Sequence, residues 1–426
     1  MAALSFPSTG VFHLPSGTIE VSSELRLPAG AHDLTVIGGD QTTLRATADF
    51  RGRAVLSCLN CRNIKLFNFA IDGNRDAIGK PVPIAPWDKS FADFFVDNGI
   101  LVEDTAGLEI EHVDLSNIAG FAVLISHTRE VLLDHLHVSN SGSLNALGRN
   151  NTTGGVLLEE GSDSFTVADS IFEHVHGNGV WTHSRYGSPR NTDGKIANNQ
   201  FVDIGRDAIQ VGHAVHVEVN GNRGQRIGFP APVIDVEGGG TPVAIDTAGN
   251  VEDSAYENND FQEINGKCID LDGFHDGTVR ANKCVNRGKP ERYPFGHFAI
   301  VFNNSNVDMR SQNILVAENE FEGMKFGGIF LIGTGHRILN NRLRRINTAH
   351  CNENKAKFGC SALDEPEVLE TGIYLGSHAE HPAPARGNRI EGNVISGWKM
   401  KTRCIQAAPG VKLSDNTIQG NQCSDE

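Results

Sequence analysis

Short runs of alternating apolar and polar residues, each opened by Gly, Ala or Cys, recur along most of this chain. They begin at Gly99-Ile100, Ala122-Val123, Gly155-Val156, Gly179-Val180 and Ala208-Ile209. The series continues at Ala244-Ile245, Cys268-Ile269, Ala299-Ile300, Gly328-Ile329, Gly372-Ile373 and Cys404-Ile405. Strand side chains alternate between faces, so the Ile or Val and the residue two further on point to a core. The residue between them, and the one after, point outward. A second run follows with its own inward pairs: Leu108/Ile110, Val131/Leu133, Phe165/Val167, Val215/Val217, Ile314/Val316 and Val411/Leu413. An Asn then recurs at one register, at Asn199, Asn222, Asn259, Asn282, Asn319, Asn341, Asn393 and Asn416. Most of these have an Ile, Met or Trp five residues on, as at Ile204, Ile264, Met324 and Trp398. Such a column means that one short unit is stacked on itself, with amides bonding from layer to layer.

The pattern predicts an all-β, single-domain solenoid of parallel strands over residues 1–426. Residues 1–50 are less regular and read as an N-terminal cap; coils occupy 51–426. Insertions fall at 73–97, 139–153, 224–242, 287–313 and 347–370, with shorter ones at 185–194 and 377–387. Those before and after the first strand of a coil would wall a groove on that face, as solenoid insertions do. Gly 47 and Pro 16 agree with a turn-rich chain. A net charge of -15 disfavours nucleic acid and anionic membrane as partners. No run of apolar residues is long enough to span a bilayer, and the first residues do not read as a signal peptide. Eight cysteines are few for a disulfide scaffold of this size. Most read as buried packing residues, with Cys351 and Cys360 able to pair if the protein is exported. Cys58 and Cys61 form a CxxC without the second pair that zinc would need.

The rung pattern and the Asn column resemble the right-handed parallel β-helix of the pectin-lyase-like superfamily, from about residue 50 onward. The resemblance implies the fold and, more loosely, carbohydrate chemistry, because the superfamily includes hydrolases, lyases, epimerases, tailspikes and adhesins. The motifs of its polygalacturonase-like hydrolases are not matched. Asn191-Thr192-Asp193 falls in an insertion, Gly205-Arg206-Asp207 has one Asp where two are expected, and no Gly-His-Gly or Arg-Ile-Lys is present.

Reading the first outward column down the stack gives Leu101, Leu124, Leu157, Trp181, Gln210, Asp246, Asp270, Val301, Phe330, Tyr374 and Gln406. The second gives Glu103, Ser126, Glu159, His183, Gly212, Ala248, Asp272 and Asn303 in its first eight places. Carboxylates therefore gather in the middle rungs. Adjacent rungs lie about 4.8 Å apart, so Asp246 and Asp270 would stand side by side. Like charges that close split into a protonated acid and an ionised base, the division of labour glycoside hydrolysis requires. Asp246 and Asp270 are the expected catalytic pair, with Asp272, Asp207 and Glu237 as further carboxylates. Trp181 and Tyr374 would stack on sugar, and His183, Gln210, His213, Lys267 and Asn303 would bond its hydroxyls. The outward leucines need cover, either from the insertion holding Trp87, Phe91, Phe94 and Phe95 or from another subunit.

The expected function is cleavage or transfer of glycosidic bonds in an oligo- or polysaccharide, without a cofactor, by a secreted or periplasmic protein. A trimer with sites at its interfaces fits the same reading. The first alternative is a polysaccharide lyase or uronate epimerase, in which Asp207, Asp246, Asp270 and Asp272 hold Ca²⁺ and Lys267 or Arg206 is the base. The second is a non-catalytic, tailspike-like glycan binder.

Overall fold

The computed structural model describes residues 4–86, 88–360 and 367–426. Trp87, and residues 361–366 of the 347–370 insertion, lie outside the described residues. Regular structure is almost all β, and each strand pairs in parallel with its counterpart one coil further on. This is the right-handed parallel β-helix expected from the rung pattern. Contacts divide the chain into two compact units: residues 1–208 with 213–217 and 232–240, and residues 209–212 with 218–231 and 241–426.

In the first unit one sheet joins the strands Thr42–Leu59, Asn98–Glu103, Val123–Ser126, Val156–Glu159 and Val180–His183. Its register sets Leu101, Leu124, Leu157 and Trp181 in one column, and Glu103, Ser126, Glu159 and His183 in the next. Gly155 opens its strand because a Cβ there would lie 1.8 Å from the carbonyl oxygen of Gly179. Coiling starts earlier than the hydrophobic pattern suggests. Gly10–His13 already pairs with His32–Ile37, and Gly17–Arg26 with Thr42–Leu59, so much of the cap region is itself built of rungs.

The 73–97 insertion supplies the cover that the outward leucines require. Its short helix Phe91–Phe94, with Ala85 and Phe95, packs on Leu101, Leu124 and Leu157, all at most 1% exposed. Burying each such side chain contributes roughly 2 kcal/mol. Covering this stripe requires no second subunit.

In the second unit the corresponding sheet runs through Ile209–Val211, Val243–Glu252, Lys267–His275, Ile300–Asn303, Ile329–Leu331, Ile373–Leu375 and Ile405–Ala407. Behind it runs the amide ladder. Asn222 Nδ2 donates to Asn259 Oδ1 at 2.9 Å, and the relay continues through Asn282, Asn319, Asn341 and Asn393 at 2.8–3.0 Å. It closes on Asn421, not on the expected Asn416. Every ladder Asn is preceded by a residue in the left-handed region: Gly221, Asn258, Ala281, Glu318, Asn340, Gly392 and Gly420. Asp415 does not adopt that backbone, and Asn416 instead caps Asn388 from a different turn. The same misregister affects the last inward pair, since Leu413 sits in an exposed turn and the last second strand is Thr417–Gln419. Likewise Val217 pairs its burial with Val219, within the strand Ala214–Asn220, and Val215 is only half-buried.

The cysteines are not unpaired packing residues. All are bridged, as Cys58–Cys61, Cys268–Cys284, Cys351–Cys360 and Cys404–Cys423. Coiling explains the two pairs that residue spacing conceals. Positions 268 and 284 lie on different strands, and the coil brings their Cα atoms to 6.3 Å across its interior.

Candidate active site

Seven of the expected site residues fall in the second unit, six of them on the first-strand face. Parallel register places Gln210 opposite Asp246, Asp270 opposite Val301, and Asp272 opposite Asn303. Ile245 faces Ile269 and Ala248 faces Asp272, so Asp246 and Asp270 share the outward column one rung apart. The column continues through Val301, Phe330 and Tyr374. Lys267 lies at the start of the same strand as Asp270.

The electrostatics of this row are unequal. The Lys267 ammonium is ion-paired with Asp270 Oδ2. Burial alone would lower the pKa of Lys267, but the charge of Asp270, then those of Asp246 and Asp272, hold it above the usual lysine range. Asp270 Oδ1 is buried and has no hydrogen-bond partner. Asp272 is half-buried, and burial pushes its carboxyl above the ordinary range, with the charge of Asp270 adding to the rise. Two bonds oppose that shift. The Ser305 N–H donates to Oδ1 at 2.7 Å and its hydroxyl to Oδ2 at 2.6 Å. The neighbouring Asp276 accepts from Asn313, Gln312 and His275 and is a turn residue.

A cavity of about 420 Å³ opens on this face, lined by Lys267, Val301, Asn303 and Phe330 among others. Three lining groups were not singled out from sequence: His297, His378 and Glu380. All lie in insertions flanking a first strand, which is the signal that could have found them. Burial, and then the charges of Lys267 and Lys325, push His297 down to about 3, so it is a neutral imidazole at working pH. Tyr374 does not face the cavity as a sugar platform. It is 2% exposed within an apolar cluster that includes Val368 and Leu369. Phe330, one rung nearer Asp270, is partly exposed and lines the cavity.

The other expected residues belong to the first unit, and two have surroundings that rule out the expected role. Trp181 is 7% exposed, with Phe91 against it at 5.1 Å and Phe121 at 6.4 Å. His183 stacks on Phe91 at 4.3 Å. Neither ring is open to a sugar face, because the insertion that covers the leucines covers them too. His213 is buried and meets the Tyr186 ring edge-on at 4.2 Å. Asp207 is 3% exposed. Glu237 stands exposed on the short turn of helix Val236–Gly239, 3.6 Å from Arg149.

Glu159, Glu160 and His183 place ligand atoms within 4.8 Å of one another, a spacing that a divalent cation such as Ca²⁺ could use. The two carboxylates are already engaged, whereas His183 Nδ1 is buried without a hydrogen-bond partner. Glu159 accepts from the Ser90 hydroxyl and the N–H groups of Phe91 and Ala92 at 2.8–2.9 Å. Glu160 is held by Arg185, whose bonds outweigh burial and keep its carboxyl below the usual range. The carboxylates therefore already serve the protein's own N–H groups and Arg185, and a cation here would compete with them. The second-unit row fits Ca²⁺ no better, because the Lys267 ammonium already sits on Asp270.

Residues 88–241 match the family described as the right-handed β-helix region. No curated protein sequence matches the chain. Among solved structures, the surface adhesin PfbA of Streptococcus pneumoniae superposes with a TM-score of 0.53 at 14% identity, over 79% of this chain and 84% of that one. An exopolygalacturonase from Thermotoga maritima gives 0.54 at 11% identity, over 80% and 84%. A lacto-N-biosidase from Eubacterium ramulus gives 0.52 at 11%, covering 91% of this chain but only 62% of that one, less than two thirds of its length. At these identities the likeness establishes the fold, which this chain shares distantly with carbohydrate-active enzymes and an adhesin.

Proposed function

We propose that the protein is a glycoside hydrolase whose catalytic groups are Asp272 and Asp270, with Asp246 completing the acidic row. The observation that carries this reading is the asymmetry of the row. One carboxyl is biased toward its protonated form, and its neighbour is ion-paired with one oxygen left without a hydrogen bond, on the strand whose first residue, Lys267, lines the cavity. Asp272 donates its proton to the leaving glycosidic oxygen as the bond to the anomeric carbon breaks. Asp270 Oδ1 takes a proton from the water that adds to that carbon. Residues two apart on a strand are separated by roughly 7 Å, a spacing that leaves room for water and favours inversion over the closer, retaining arrangement. Elimination from a uronate has less support, since Lys267, one of its two expected bases beside Arg206, is committed to Asp270. Four disulfides belong to an oxidising compartment, so the reading includes secretion or a periplasmic location. Among the described residues no helix is long and apolar enough to cross a membrane.

The deciding experiment is a glycan panel followed by reducing-end release and by absorbance near ~235 nm, with and without EDTA, because elimination leaves an unsaturated chromophore and needs a cation. Sugar release that EDTA leaves unchanged is the expected result. Unsaturated product that disappears on chelation would replace this reading with the lyase.

The pH profile offers a finer check. As general acid, Asp272 works while protonated, so activity falls as pH rises through its pKa. Both Ser305 bonds stabilise the ionised form. Ser305→Ala removes the hydroxyl bond and keeps the N–H one, so it should raise the pKa further and move the basic limb of kcat/KM to higher pH, with less than about a tenfold change at the optimum. A limb displaced to lower pH would assign the acid role elsewhere.

A further inference from the structure

The outward column of the second unit does not stay open along its length. Beyond Asp270 it passes over Val301 and Phe330 and then reaches Tyr374, which is 2% exposed although its position points away from the coil interior. Val368, Leu369 and Ala408 join Tyr374 in one apolar cluster, so the trough ends against packed side chains two rungs past Val301. One flank is also clasped. Asn304 is buried, donates through Nδ2 to the His381 carbonyl at 2.9 Å, and accepts the His381 N–H at 3.0 Å. That clasp holds the loop carrying His378 and Glu380 against the cavity. About 420 Å³ lies near the lower end of the roughly 300–1,000 Å³ typical of small-molecule sites.

Charge adds a second constraint. Among the described residues lining the cavity, Lys267 is the single fixed cation and already faces Asp270. Glu380 adds acid to the lining, Asp272 stands one rung from the lining residue Asn303, and His297 is uncharged. A uronate or sulfate group entering here would meet carboxylates and no uncommitted cation.

We infer that the site is a dead-end pocket taking the terminal sugar of an uncharged glycan, with Phe330 against the sugar's apolar face and the scissile bond over Asp270 and Asp272. The protein would then release small products from chain ends instead of cutting within chains. This inference rests on the hydrolase reading, and the experiment separates the two.

Matched neutral oligosaccharides are offered with both ends free, with the reducing end converted to an alditol, and with the non-reducing end blocked. Polymeric versions and a polyuronate are included, and products are sized from the first minutes. One small product, with turnover abolished by blocking one particular end, is the expected outcome. Leu369→Ala, which thins the closed end, should then relax the block at least about fivefold. Early mixtures of long fragments, or equal cleavage of end-blocked and free chains, would overturn the pocket while leaving hydrolysis intact. Preferential cleavage of the polyuronate would overturn the uncharged-glycan assignment alone. Absence of turnover on every member, or full turnover by Asp272→Asn, would remove the hydrolase reading and this inference with it.

Discussion

Asp272→Asn is expected to lower kcat by about 10³-fold while leaving Tm within about 3 °C of the parent. The amide can keep both Ser305 contacts, accepting the N–H through Oδ1 and donating from Nδ2 to the hydroxyl, so shape and bonding survive and only the proton is lost. The sign of the stability effect follows from burial. A folded-state pKa raised above the unfolded value means that the folded protein holds the proton more tightly. That contribution is present at low pH and is lost as pH rises through the folded pKa, so a permanently neutral side chain removes a cost near neutrality. Asp270→Asn should also abolish turnover, but it leaves the buried Lys267 ammonium without its partner and should destabilise by about 3 kcal/mol. The double variant Asp270→Asn with Lys267→Met should regain most of that stability and none of the activity. Stopped-assay kinetics paired with thermal melts reads all three. Parental kcat in Asp272→Asn would end the acid assignment.

The other large effect concerns architecture. Glu159 is fully buried and accepts from one hydroxyl and two backbone N–H groups at the start of helix Phe91–Phe94. Glu159→Ala orphans three buried donors at once, each worth about 1–3 kcal/mol. A loss of about 3 kcal/mol or more is expected. Because that helix covers Leu101, Leu124 and Leu157, the 73–97 segment should also become cleavable by protease well before the coils melt. Limited proteolysis with mapping of the cut sites measures this. A melt and a cleavage pattern unchanged from the parent would mean that the insertion is held by its apolar contacts alone.

Much of the coil architecture is written locally. Alternation in each first strand sets which residues face outward, and parallel pairing at constant register then aligns Asp246, Asp270 and Val301 as simple counting expects. The ladder could be counted as far as Asn393, even where Ala281 and Glu318 take the left-handed backbone before the ladder Asn. Where the final coil offers both Asn416 and the Gly420-Asn421 pair, only the backbone before each decides between them, and Asn421 carries the bond. Two of the disulfides escaped counting for a related reason: Cys404 and Cys423, like Cys268 and Cys284, are neighbours only once a coil has closed.

The candidate site was half legible. Its carboxylates sit on regular strands, where position implies direction, and so they could be placed from the chain alone. Its walls could not, because His297, Phe298, His378 and Glu380 come from insertions that follow no period. The same irregular segments decided burial. Trp181 and Leu157 lie on an outward face by alternation, yet Phe91 and its neighbours fold back over them, since an apolar stripe that long is costly to leave in water. Periodic sequence thus determined the fold and the direction of each rung side chain. Which of those side chains still meets solvent, and therefore a substrate, was decided by aperiodic loops whose contacts exist only in three dimensions.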